Sequence, residues 1–158
     1  MKILIVSDTH RSHEELAQAL KLEKPDRLIH LGDGEGCEEE IARMAGCPLN
    51  IIAGNNDFFT MLEQEEEIML GKYRVLLTHG HYYYVSTGLE AIKREALGRG
   101  CDIVMFGHIH RPLLEQDGQV LVLNPGSIAY PRQPGHRPSY LVMEVDPQGE
   151  AEFEIRYL

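Results

Sequence analysis

Three short runs rich in branched apolar residues, KILIV (2–6), DRLIHL (26–31) and LNIIAG (49–54), alternate with two segments of helical period. This alternation restricts the fold more than any other feature of the chain. Strands separated by helices run parallel and are joined by right-handed crossovers, so the first third predicts a β-α-β-α-β unit. KILIV has no polar alternation and reads as a strand buried on both faces. In SHEELAQALKL, Leu16, Ala19 and Leu20 share a helical face, and Ser12 with Glu15 supplies the residues of a capping box. CEEEIARMA reads as a second helix, stopped by Gly46.

The rhythm then changes. EEEIML and YRVLLTH flank Gly71-Lys72, a two-residue hairpin signal. LEAIKREAL (89–97) predicts an amphipathic helix ended by Gly98, and DIVMF (102–106) another buried strand. PLLEQ and QVLVLN surround Asp117-Gly118, and SYLVMEV and EAEFEIRYL surround the turn from Pro147 to Gly149, so the second half reads largely as hairpins. The expectation is a mixed α/β protein with two packed sheets flanked by helices. At 158 residues it falls in the range of a single domain spanning 1–158.

Composition narrows the function classes. The formal net charge of -10 opposes binding along a nucleic-acid backbone, which needs clustered Lys and Arg. Cys37, Cys47 and Cys101 form no C-x-x-C pair and suit a reducing compartment. The apolar run before SDTH is too short for a signal-peptide core, and no stretch approaches a membrane span. A cytoplasmic, acidic protein with no membrane attachment is expected.

Each apolar strand is followed at once by potential ligands. The groups are Asp8-Thr9-His10, Gly32-Asp33, Gly54-Asn55-Asn56-Asp57, His79-Gly80-His81 and Gly107-His108-Ile109-His110. Successive steps from Asp8 to Asp33, Asn55, His79 and His108 are 25, 22, 24 and 29 residues, one strand and its return per group. Singly, most are ordinary: Asp8 could cap a helix, G-D and G-N are turn signals, and a lone His79 is a typical core histidine. Together and in order they are not, because ligands collect beyond the carboxyl ends of parallel strands and all five groups would meet on one rim. Gly32, Gly54 and Gly107 would let the backbone turn and approach a ligand. Oxygen and imidazole without thiolate suit Mn²⁺, Fe, Zn²⁺ or Ni²⁺. Seven ligands are natural for two divalent ions sharing a carboxylate.

The ordered set D-x-H, G-D, G-N-x-D, H-G-x and G-H-x-H resembles that of the calcineurin-like metallophosphoesterases, over almost the whole chain. The short length and NPGS (124–127) resemble their small prokaryotic phosphodiesterase branch. The resemblance implies a four-layer α/β/β/α sandwich with a dinuclear metal centre. By position, Asp8, His10 and His110 would hold one ion and Asn55, His79 and His108 the other, with Asp33 bridging. It further implies hydrolysis of a small phosphate ester, most naturally a diester, by in-line attack of a metal-bridging hydroxide, with manganese the expected metal. Members of the family often have histidine or cysteine after the metal-binding asparagine; this chain has Asn56, an amide that can bond a phosphate oxygen but cannot deliver a proton. His81 or water would then serve the leaving group. Asp57 would either orient a neighbouring ligand or be a surface-turn carboxylate.

Other residues carry less. Arg11 and Arg111 could reach phosphate or simply be solvated. His30 reads as packing, and His13 and His136 as loop or helix-surface residues. Phe58-Phe59 and Tyr82-Tyr83-Tyr84 would wall a cleft or form a contact within a dimer or tetramer. Two rival functions are a non-catalytic protein-interaction module, as in a eukaryotic retromer subunit of this fold, and a nuclease. Intact ligand positions weigh against the first, and the net charge against the second.

Overall fold

In the computed structural model, which describes residues 1–158 with the side chain of Asp117 set aside, alternate residues of the first strand face different cores. Strand β1 (Lys2–Val6) sends Ile3 and Ile5 to one side and Leu4 and Val6 to the other, and all four are fully buried. That explains its uninterrupted apolar sequence: there is no solvent face for a polar residue to occupy. Helix α1 (Glu14–Glu23), β2 (Arg27–His30), α2 (Glu38–Ala45) and β3 (Leu49–Ile51) complete the predicted unit. The three strands pair in parallel in the order β1-β2-β3. Gly46, in the left-handed region, closes α2 as expected.

A hairpin of β4 (Glu65–Leu70) and β5 (Tyr73–Thr78) opens the second sheet, with Gly71-Lys72 as its turn. A single 3-10 turn (His81–Tyr83), helix α3 (Glu90–Gly98) and β6 (Ile103–Met105) follow. Strands β7 (Pro112–Asp117), β8 (Val120–Pro125), β9 (Ser139–Val145) and β10 (Ala151–Tyr157) end the chain. The sheets have the orders β10-β9-β1-β2-β3 and β4-β5-β6-β8-β7.

The layers follow from which side chains meet. Ile3, Ile5 and Ile29 of the first sheet, with Ile52 just beyond β3, pack against Val75, Leu77, Met105 and Leu123 of the second, forming the central core. On the outer face of the first sheet, Leu4, Val6 and Val142 meet Leu16 and Leu20 of α1 and Ile41 of α2. Leu76, Val104 and Val122 meet Ile92 and Ala96 of α3 on the outer face of the second. The result is the α/β/β/α sandwich. Burying each Leu or Ile of these helices contributes about 1.5–3 kcal/mol, so the apolar stripe rather than local propensity holds them.

Two local expectations are corrected. The capping box does not form: His13 occupies the N-cap of α1, and no side chain caps it. Ser12 lies one residue too early because left-handed turns at His10 and Arg11 draw it back to Thr9, to whose carbonyl its amide donates at 2.8 Å. Helix α3 runs through Gly98 instead of stopping before it, the chain turning at Gly100. The second half is largely hairpins as expected, β4-β5, β7-β8 and β9-β10, with β6 added in parallel between β5 and β8. One consequence positions the site. Both sheets contain parallel strands, and their carboxyl ends reach the same rim.

Candidate metal centre

Five strand ends deliver the polar residues. β1 leads into Asp8 and His10, β2 into Asp33, β3 into Asn55, β5 into His79 and β6 into His108 and His110. Asp8 and His79 are fully buried, Asp33 and His110 almost so, while Asn55 is exposed. The group is therefore a well, closed at its base and open beside Asn55 and His108.

All seven predicted ligands are brought together. His110 Nε2 lies 3.1 Å from Asp8 Oδ1, and His10 Nε2 lies 3.9 Å from the same atom and 3.7 Å from Asp33 Oδ2. His79 Nε2 is 3.5 Å from Asp33 Oδ2 and 3.1 Å from Asn55 Oδ1. His108 Nδ1 is 2.9 Å from that Asn55 oxygen. Asp8, His10 and His110 offer donor atoms within 4.8 Å of one another, as do Asp8, Asp33 and His79.

Whether these residues suit a cation is decided by their lone pairs. His10 Nδ1 donates to Glu35 Oε1 and His110 Nδ1 to the Tyr130 carbonyl, both at 2.7 Å. Each neutral ring so committed presents an unprotonated Nε2, and the two Nε2 atoms face each other at 3.3 Å. Asp8 Oδ1, buried beside them, has no hydrogen-bond partner among the described residues. Unpaired acceptors this deep are costly unless positive charge lies among them. The titration behaviour agrees. Burial would depress His79, but its bond to Asp33 and the charges of Asp8 and Asp33 push it up to about 9. Burial would raise Asp33, yet its bond to His79, that ring's charge and the donors of Asn56 hold it below the ordinary carboxylate range. The donor set fits a divalent cation.

Backbone geometry is unusual here. Asp8, His10, Asp33, His108 and His110 all have positive φ, a conformation that costs a residue with a Cβ about 1–2 kcal/mol. Such strain collects where surrounding contacts impose it. It also corrects the expectation for Gly107: the histidines themselves take the left-handed turns, and Gly107 does not. Its role is close approach. A Cβ there would collide with Ser7 Oγ and come within 2.9 Å of Asp8 Oδ2.

The family now follows. A family model for the calcineurin-like phosphoesterase superfamily domain matches residues 1–148. The chain belongs to that superfamily. Among similar proteins, the probable metallophosphoesterase YsnB of Bacillus subtilis is 35% identical over 134 residues, covering 84% of this chain and 78% of YsnB. Phosphodiesterase YfcE of Escherichia coli is 29% identical over 171 residues, covering 92% and 89%. The crystal structure of a conserved Streptococcus pneumoniae protein, a predicted phosphoesterase, superposes with a TM-score of 0.83 at 26% identity, covering 99% of this chain and 88% of that one.

Asn56 and Asp57 both bond to their neighbours in the site. Asn56 donates to both Asp33 oxygens, from its backbone amide at 2.8 Å and its side chain at 2.7 Å, which leaves one of the two side-chain N–H donors uncommitted. Asp57 is buried, not a surface-turn carboxylate. It accepts the amides of Asp33, Gly54 and Glu35 and so ties the loop after β2 to the loop after β3. His81 stands beside the candidate ligands, its ring 5.5 Å from His79 and 6.1 Å from His108, with Nδ1 unpartnered among the described residues. Burial and the neighbouring histidines lower its pKa.

Several supporting groups were not singled out in the sequence. Glu35 backs His10. The Leu31 carbonyl accepts from His79 Nδ1 at 2.6 Å. Asn124 donates to the Gly107 carbonyl and Ser127 to the Asp8 carbonyl, so NPGS buttresses two ligand loops at once. The motif was visible in the sequence, its contacts were not. His30 packs as expected and also connects: Gly32 N donates to its Nδ1, and its Nε2 meets Thr9 Oγ1 at 3.1 Å. His13, placed on a loop or helix surface by its sequence, is largely shielded, with Nδ1 3.3 Å from Glu40. His136 and Arg111 are exposed, while Arg11, also exposed, bonds the Glu35 carbonyl. No helix among the described residues is long and apolar enough to cross a membrane.

Proposed function

We propose that this chain, acting as one domain, is a dinuclear metal-dependent phosphodiesterase. The observation that carries the reading is the inward-facing set of seven donors from five chain segments, with His10 and His110 presenting lone pairs to one another. Asp8, His10 and His110 would hold one cation and Asn55, His79 and His108 the other, with Asp33 shared. Such ions, manganese being the expected pair, supply Lewis acidity that lowers the pKa of a water and offsets charge on a phosphoryl group. The protein's part is positional. Asn56 fixes both oxygens of the shared carboxylate, Asp57 holds the two loops in register, and the open side at Asn55 and His108 admits a small ester. Since an amide cannot deliver a proton, His81, standing beside His79 and His108, would protonate the leaving oxygen. The name of YfcE supports a diester as substrate, and the three unpaired cysteines support a cytoplasmic setting.

Turnover of a chromogenic phosphodiester by metal-free protein, before and after addition of Mn²⁺, tests this, with Asp33→Ala as the blank. Metal-dependent turnover absent from Asp33→Ala is expected. Neither bound metal nor turnover would leave the interaction-module reading in its place.

A further inference from the structure

His10 differs from the other site imidazoles in what stands behind it. Nδ1 of His79 and of His110 donates to a backbone carbonyl, and Nδ1 of His108 faces the neutral Asn55 side chain. Nδ1 of His10 alone among them meets a carboxylate, Glu35 Oε1, at 2.7 Å. Glu35 is itself fixed from several directions. Its amide donates to Asp57 Oδ1, and its carbonyl accepts from Arg11 Nε at 3.2 Å. Its second carboxylate oxygen lies 3.4 Å from that same Nε, and its backbone is held in the left-handed region at φ 56. A flexible surface glutamate would not be restrained in this way.

Charge is also unevenly shared between the two halves of the well. The Asp8, His10 and His110 half contains a carboxylate and has a second one behind it. The other half has Asn55, a neutral amide, in the corresponding place. A carboxylate on the far nitrogen of a ligating histidine locks the ring and strengthens it as a donor, and losing such a partner typically weakens metal binding about 10- to 100-fold.

We propose that Glu35 is the positioning residue for His10 and makes the Asp8, His10 and His110 position the first of the two to fill. The inference rests on the two-cation reading above. Calorimetric titration of the metal-free full chain with Mn²⁺ separates the two ideas. Wild type is expected to take up two equivalents in resolved steps. Glu35→Ala should weaken the tighter step by tenfold or more and leave the weaker step in place. Glu35→Gln, which keeps an acceptor for Nδ1 but not the charge, should fall between them. Melting of the metal-free variants reports on the fold separately. Wild-type steps that persist in both variants would overturn the role of Glu35, as would a parallel loss of both steps. Wild type that binds no cation would overturn the two-cation reading itself and the inference with it.

Discussion

His10 Nε2 and His110 Nε2 face one another at 3.3 Å, although each ring already donates from its other nitrogen. Two lone pairs so directed repel, and Asp8 Oδ1, without a hydrogen-bond partner among the described residues, adds negative charge beside them. The folded protein therefore holds a concentrated site for a cation that the unfolded chain lacks. Mn²⁺ at a hundred times its dissociation constant should stabilise the fold by about 2.7 kcal/mol, seen as a rise of several degrees in melting temperature that a chelator reverses. His110→Ala should lose most of this gain. A wild-type melting curve indifferent to Mn²⁺ would refute the reading.

Asp57 holds two loops through three amides, and both of its oxygens are used. Hydrogen bonds to a charged group are worth about 1.5–3 kcal/mol each, and stranding a buried donor adds its desolvation cost. Asp57→Asn places an N–H where an acceptor is required. Both Asp57→Asn and Asp57→Ala should lose about 3 kcal/mol or more in urea denaturation. Cation affinity should fall as well, since Asp33 and Glu35 lose their backbone anchor. A midpoint within experimental error of wild type would show that the loops are held elsewhere.

Glycine substitutions separate close approach from simple flexibility. A Cβ at Gly107 would meet Ser7 Oγ and Asp8 Oδ2, both on the buried floor of the well. At Gly98, the last residue of α3, a Cβ meets nothing within 4 Å, and φ there is not positive. Gly98→Ala should leave cation binding unchanged and stabilise the fold by about 0.4–1 kcal/mol. Gly107→Ala should displace Asp8 and weaken cation binding at least tenfold, read by the same Mn²⁺ titration. Equal behaviour of the two variants would remove the steric argument.

The convergence of the seven candidate residues was legible because its signal is local and repeated: a buried run, then Asp, Asn or His, five times along the chain. The layers were legible for a related reason, since KILIV and DIVMF carry no polar face. What the sequence hid depends on contacts between segments. Glu35 sits in GDGEG, which reads as a turn, and only the fold brings its carboxylate to His10, 25 residues away. The hairpin signals around Pro147–Gly149 placed β9 beside β10 without indicating that both would join β1 in the first sheet. Nor does local pattern show that β6 lies between two parallel partners, because that depends on the crossover through α3. The capping-box residues were present, but the strained loop after Asp8 had a stronger claim on Ser12.

His30 gives a pH dependence with a defined sign. Its ring is fully buried beneath the well, accepts from Gly32 N at Nδ1 and meets Thr9 at Nε2. Burial lowers its pKa from 6.5 to about 4, more than the nearby charges of Asp8 and Asp57 restore. The unfolded chain thus binds a proton between those values that the folded chain does not. His30 leaves stability intact above about pH 6.5 and removes it progressively as pH falls towards 4, by roughly 3 kcal/mol in total. Asp8 and Asp33, whose carboxyls are depressed, act in the same direction at lower pH, as they are protonated below the ordinary carboxylate range. Urea midpoints of metal-free protein should therefore drop between pH 6.5 and pH 4.5, before the aspartates titrate. His30→Gln, whose side chain does not ionise, should start less stable but lose clearly less across that interval. Parallel pH profiles for the two proteins would show that His30 remains able to take up a proton inside the fold.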